Sequence, residues 1–520
     1  LRFPILRRAN TPLAALVLVL LVACGSPAAP RWPDGQELTV ALANAPTNLD
    51  PRIGTDQSSG KVCQLMLNGL VTKDTHGNLV PDLAQRWEIL DDGLRYRFLL
   101  RPGVRFHDGR PLTAADVVWT FRTILDGTVT TAKRAAFTVI REIRAVDETT
   151  VEILLDEPYG PLLADFSPEQ GIVPDGMTPE EMNRLPIGTG PFRFASRSPE
   201  KVTLVANPDY WGGAPRLERV TFKEVPDSTV RALELLNGSV QLVVNDLAPD
   251  VIPLFRRSPY FQVIENPGAI YSYLGIQMED PILKDRRVRR ALALAIDRQR
   301  LVDTLWQGLG QVTETMLPPG LWARHEGLTP IPYDPAAARL LLDEAGYPDP
   351  DGDGPLSRMT LSYKTSTNEP YVLQAQVIQA MLRDVGIDLD VRTYEFATFY
   401  ADIKQGNFQI FAMLRTGIID PNIYRITLHS NAVPPAGQNR GRYYNPDFDR
   451  LVDEGARATL QQDRRPFYLK AQEILAEDLP YISLYIRTNH AVLPKALEGY
   501  ENYPSGELFS LRQMRWERPS

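Results

Sequence analysis

The sequence predicts an α/β protein of more than one domain, and three observations carry that expectation. The chain has 520 residues, too many for one ordinary hydrophobic core. Strand-like alternation and helix-like periodicity follow one another along its whole length, the grammar of α/β layers. Finally, one helix–glycine–strand unit occurs twice, in separate halves. Residues Leu235-Leu236-Asn237-Gly238-Ser239-Val240-Gln241-Leu242 have this form, and Asp402-Ile403-Lys404-Gln405-Gly406-Asn407-Phe408-Gln409-Ile410 repeat it. Each glycine stands where a helix must reverse into a buried strand, a position that favours positive φ. The repetition suggests two similar lobes.

The elements follow in chain order. Arg2, Arg7 and Arg8 make a positive start, Leu13 to Val22 a short apolar core, and small residues lead to Cys24. This pattern is an export signal over residues 1–23, too short for a membrane-spanning helix. Leu21-Val22-Ala23-Cys24 resembles the lipobox of bacterial lipoproteins, which makes Cys24 the expected lipidated residue. Residues 24–36 read as a flexible tether. With Cys24 lipidated, Cys63 is left without a disulfide partner and is expected in the core beside Leu65, Met66 and Leu67. Asp92-Gly93 is a turn signal between Trp87–Leu90 and the alternating Leu94, Tyr96, Phe98 and Leu100. Thr113 with Asp116 forms a capping box for a helix whose apolar face is Val117, Val118, Phe121 and Ile124. Asp334-Pro335 opens another helix, closed by Gly346.

Charge and motifs exclude several classes. The formal charge is −8, and about −11 without the three arginines of the first 23 residues. Such a balance argues against a nucleic-acid partner. The five histidines are scattered, with no HExxH, and the chain has no phosphate-binding loop, nucleophile elbow or CxxC. No cofactor and no metal are expected, and no enzymatic activity. His107-Asp108-Gly109 reads as a turn rather than a catalytic group. Asp349, Asp351 and Asp353 have calcium-loop spacing, but position twelve is Thr360 rather than Glu, which favours a solvated turn. Arg286, Arg287, Arg289 and Arg290 read as a solvated helix face.

Many short strings occur in an order that identifies a family. They are Asn48-Leu49-Asp50-Pro51, Gly69-Leu70-Val71, Leu79-Val80-Pro81-Asp82-Leu83-Ala84, Gly103 to Gly109, Leu112 to Val118, Pro186 to Phe192, Asn207-Pro208-Asp209-Tyr210-Trp211 and Val288 to Arg298. On these the chain resembles the extracellular solute-binding proteins of family 5, the peptide/nickel class, from about residue 38 to about 500. The resemblance implies a two-lobed periplasmic-binding-protein-like fold of the large peptide-binding subclass, with an insertion domain. Lobe I would comprise 37–58, 188–268 and 490–520, the insertion 59–187, and lobe II 269–489. It further implies a monomeric receptor for a peptide-like solute that closes its lobes on the ligand and serves an ABC permease and ATPase. Its only membrane contact would be the lipid anchor. The same fold also holds metal chelates, haem and sugars, and sensory receptors. A secreted hydrolase is the remaining class, and no catalytic constellation supports it.

The expected ligand-facing residues lie near the lobe junctions and on the loop after the strand Gln409 to Leu414. They are Asn48, Tyr271, Tyr273, Tyr485 and Arg487, with Arg415, Gly417 and Asp420 on the loop, and Asn439, Arg440 and Arg442. In peptide-binding members an acid about three positions before the Asp-Pro pair holds the ligand ammonium. Here that position is Gly417, so Asp420 takes the role or the ligand lacks a free amine. Arg440 and Arg442 are expected to fork onto a ligand carboxylate.

Overall fold

The computed structural model describes residues 30–517 apart from residue 353. Cys24 and the export signal lie outside the described residues, as does Asp353. Two long antiparallel strands, Phe261–Ile276 and Tyr481–Pro494, organise the molecule. Their ladder is irregular between Pro267 and Ile270. Proline offers no N–H there, and a Cβ on Gly268 would stand 2.4 Å from the Arg487 carbonyl oxygen, so the bulge needs a glycine. The neighbouring strands change across this point. On one side Leu242–Val244 pairs at Ala491. On the other, Ile410–Arg415 pairs with Tyr271 to Ile276, and Gly310–Val312 with Tyr485 to Arg487. The two strands thus cross between two lobes, joined in one eleven-stranded sheet.

Each lobe carries the helix–glycine–strand unit read from the sequence. In the first, Ser228–Asn237 is capped by Asp227 and ends at Gly238, φ 81°. In the second, Phe396–Gln405 ends at Gly406, φ 83°. Parallel pairing follows in both. Glu37–Leu42 lies between Arg219–Glu224 and Leu242–Val244, and Met359–Ser366 between Ile387–Tyr394 and Ile410–Arg415. Parallel strands buried on both faces suit the apolar runs seen there.

The insertion is a four-stranded antiparallel sheet with Ala114–Leu125 packed on it. The capping box of Thr113 and Asp116 forms, as does the turn at Asp91–Gly93. Its core runs from Leu70 to Ile172 and centres on Phe98, Phe121, Phe137 and Phe166, packed largely edge to face. The helix Gln57–Met66 instead lends Val62, Cys63, Leu65 and Met66 to the first-lobe core. Burial pushes the Cys63 thiol up to about 12, which makes it unreactive. His107 is held between the Gly190 carbonyl (3.0 Å) and the Gly188 N–H (3.2 Å). Burial lowers it to about 4, so it is a neutral strut.

One expectation is corrected. Arg289 is not solvated. It is 4% exposed and donates to the carbonyls of Leu283 and Lys284, in the turn before its own helix, and of Asp478, the last residue of another helix. At Asp349 and Asp351 the carboxylates accept the turn N–H groups of Asp351 and Leu356. Among the described residues no group of three metal-ligating side chains occurs, and no helix is long and apolar enough to cross a membrane.

Candidate functional site

The strand Ile410–Arg415 leaves its ladder after Arg415 pairs with Tyr271. From Thr416 to Ile419 the chain continues without one. Among the described residues no hydrogen bond engages the backbone of these four, and the chain is tied again at Asp420, whose carbonyl accepts from Ile423 N–H (3.3 Å). Gly417 sits at φ +68° with open space where a Cβ would point. Unpaired N–H and C=O groups at a strand end invite another backbone.

This ledge borders a cleft of ≈ 1210 Å³. Its second-lobe wall includes Gly417, Ile418, Asp420, Asn422 and Gln438, and its insertion wall Lys133, Asp156, Glu157, Tyr159 and Asp165. The walls touch at one end. Asn422 Nδ2 donates to Tyr159 Oη (2.7 Å), and Gly160 lies flat against the Ala458 carbonyl. Burial drives the Tyr159 phenol well up, so it stays neutral.

Carboxylates on the second-lobe wall are already engaged. Asp420 accepts from Arg464 Nη1 (2.8 Å) and Nη2 (2.7 Å). Arg464 is 3% exposed, so Asp420 neutralises a buried cation and does not await a ligand amine. Asp453 holds Arg425 (2.7 Å) and His429 (3.3 Å). The exposed acids Asp156 and Glu157 stand on the insertion wall instead.

The other expected residues divide clearly. Tyr271, Tyr273 and Tyr485 are core, not cleft: Tyr271 stacks on Tyr273 (7°) and bonds Ser483 (2.7 Å), and Tyr485 donates to Gln374 (2.6 Å). Their alternation on a strand buried on both faces explains this. Asn439 is fully buried and ties the carbonyls of His429 and Tyr443 with its amide. Asn48 caps its own turn through Asp50 N–H (2.8 Å). Arg440 and Arg442 diverge. Arg442, at φ 61°, reaches out to the Gln405 carbonyl (3.4 Å), while Arg440 turns inward to Tyr400 (3.1 Å). The arginine grouped with Arg440 is Arg415, which donates to Gln438 (2.8 Å). Arg487 stacks over Trp306 (4.1 Å) on the crossing strand, and burial lowers its proton affinity. Nothing in the local sequence marks Tyr159, Asn422 or Gln438 as cleft residues.

Residues 78–432 match the family described as bacterial extracellular solute-binding proteins, family 5 Middle. The chain belongs to this family. Among its relatives is the probable di/tripeptide-binding protein 5 of Pseudomonas aeruginosa, 30% identical over 85% of this chain and 88% of that one. The heme-binding protein A of Haemophilus influenzae is 30% identical over 89% of each. The solved structure of the oligopeptide-binding protein AppA from Bacillus subtilis, in complex with a nonapeptide, superposes with a TM-score of 0.76 at 26% identity, covering 94% of this chain and all of that one. The cleft of this solute-binding protein lies between its second lobe and its insertion.

Proposed function

We propose that the chain is the extracytoplasmic binding component of an ABC importer, capturing dipeptide- or oligopeptide-like solutes and delivering them to permease and ATPase subunits. The observation that carries this reading is the unpaired ledge Thr416–Ile419 beside the cleft. An extended peptide offers the complementary row of N–H and C=O groups, so affinity need not depend on its side chains. The relatives named for peptides support the same class. Closure by rotation about the crossing strands would remove water from these bonds. The irregularity at Pro267–Ile270 supports hinge points near 268 and 489, with lobe I at 37–58, 188–268 and 490–520, lobe II at 269–489, and the insertion at 59–187 apart from helix Gln57–Met66, which packs in the first-lobe core. The working unit is a monomer, exported and tethered through lipidated Cys24.

Mass spectrometry of molecules released from natively purified protein tests this, with calorimetry on the peptides recovered. A population of short peptides is expected. Recovery of haem, a metal chelate or a sugar, with no peptide bound, would overturn it. One observation favours such a non-peptide solute as the second reading: the ledge carries no uncommitted carboxylate for an ammonium group.

A further inference from the structure

Arg440 is 3% exposed, yet it has no acidic partner among the described residues. Its hydrogen bonds go to Met413 Sδ (3.5 Å) and Tyr400 Oη (3.1 Å), and its Nε is buried with none. Arg415 is half-buried and likewise has no acidic partner among the described residues. It donates to neutral Gln438, and its Nε too is buried and unpaired. Met413 and Arg415 share one face of their strand, so both guanidiniums lie on the same side of the ledge, next to the cleft-lining Gln438. A third orphan, Tyr273 Oη, lies in the same region. Burial raises the Tyr481 phenol there, while the charges of Arg415 and Arg440 oppose that rise.

A desolvated cation without a counter-charge, with a second, half-buried one beside it, is an unstable arrangement unless an anion arrives. Other strongly buried arginines of this lobe are satisfied: Arg464 by Asp420, Arg298 by Glu314, and Arg289 by three backbone carbonyls. Beside the two uncompensated arginines stands an aromatic platform. Arg440 and Lys404 each lie 5.1 Å from the Tyr400 ring, and Phe396, 57% exposed, stacks on it (5.7 Å, 19°).

We propose that Arg415 and Arg440 form an anion subsite that takes a carboxylate of the bound solute, with Phe396 and Tyr400 as its apolar wall. Its place beside the ledge rests on the binding reading above, but its chemistry does not require a peptide. Selectivity is therefore for acidic solutes: the ledge holds the backbone of the ligand and the arginines choose its charge.

Calorimetry with Ala-Glu-Ala, Ala-Gln-Ala and their C-terminal amides, together with thermal melting in glutarate, tests this on wild type, Arg440→Met and Arg415→Met. Wild type is expected to prefer the acid-bearing peptides by about thirtyfold or more, the lower bound for a buried charge pair. In either variant the preference falls to within about threefold, while retained binding of Ala-Gln-Ala amide shows that the variant is folded. Glutarate raises the melting temperature of wild type alone. Peptide binding with no acid preference, or a preference that survives Arg440→Met, overturns the subsite and leaves the importer reading intact. A glutarate response lost in Arg440→Met, with no peptide bound by any form, upholds the subsite and sinks the peptide reading. Silence toward both probes overturns the subsite.

Discussion

Replacing Gly160 with alanine tests whether the seam between insertion and second lobe is the closure interface. Gly160 starts the short helix Gly160–Phe166, and its φ lies outside the left-handed region, so alanine fits the backbone. The methyl would stand 2.1 Å from the Ala458 carbonyl oxygen and 3.1 Å from Arg464 Cδ. An ordinary C···O contact is about 3.3 Å, so the walls must part by roughly 1.2 Å. That withdrawal stretches the 2.7 Å bond between Asn422 and Tyr159 beyond useful length. Overpacking costs about 1–3 kcal/mol and the lost bond about 1 kcal/mol. Together these penalise the closed form by about 2–4 kcal/mol, a weakening of roughly 30- to 1000-fold in affinity if only that form holds ligand. Calorimetry reads the affinity and small-angle scattering the compaction. The melting temperature of the free protein should change little, because the open form does not carry the clash. Unchanged affinity and compaction in Gly160→Ala would refute the seam as the closure contact.

Other outcomes follow from single groups. Asp420→Asn leaves buried Arg464 unpaired and should cost about 3–5 kcal/mol in urea unfolding, with most of it regained in Asp420→Asn/Arg464→Met; a loss below about 1 kcal/mol would show a solvated pair. Burial, aided by the nearby Arg487 charge, lowers His490 to about 4, against about 6.5 in the unfolded chain. The unfolded chain then takes the proton first, so this contribution is complete above pH 6.5 and is lost as pH falls toward 4. His490→Leu should flatten that slope by at most about 3 kcal/mol, and a wild-type-minus-mutant difference constant from pH 7 to 4 would contradict it. Gly417→Asp puts a carboxylate on the ledge at φ +68°, which aspartate tolerates at about 1 kcal/mol. It should create a preference of about tenfold or more for free-amine over N-acetylated peptides, and equal binding of both would count against the ledge as the ligand seat.

The fold was legible because its signals are local. Gly238 and Gly406, Thr113 with Asp116, and Asp334 before Pro335 each act on backbone within a few residues, and each cap forms as the sequence implies. The site was legible only as far as its backbone. The loop after Arg415 and the odd glycine at 417 stand out in the sequence because φ is a local property. Charge compensation is not local. Asp420 meets Arg464 from 44 residues away and Arg440 meets Tyr400 from 40, so nothing near Asp420 announces that it is engaged. The same reasoning misjudged Arg442: two residues after Arg440 on an extended chain, it was expected alongside, but its positive φ turns it the other way.

This difference bears on how one architecture serves many solutes. A ledge of free peptide groups binds any extended backbone, so it constrains sequence only through φ and through the absence of a covering strand. Discrimination falls to a few side chains whose charge is left uncompensated once the fold is complete. In this chain those are cations: the nearest ledge acid, Asp420, is held inside by Arg464, whereas Arg415 and Arg440 face neutral partners. Changing which arginine Asp420 neutralises would reverse the sign of the site without moving a strand. Relatives of about 30% identity with different solutes in their names are therefore what the physics leads one to expect. The ligand preference of any member should follow from the charges its own fold fails to pair, and an Arg464→Met variant, which frees Asp420 at the cleft wall, should gain affinity for a free-amine peptide over its N-acetyl form. If calorimetry shows no such gain while the variant stays folded, solute charge is read elsewhere than along this wall.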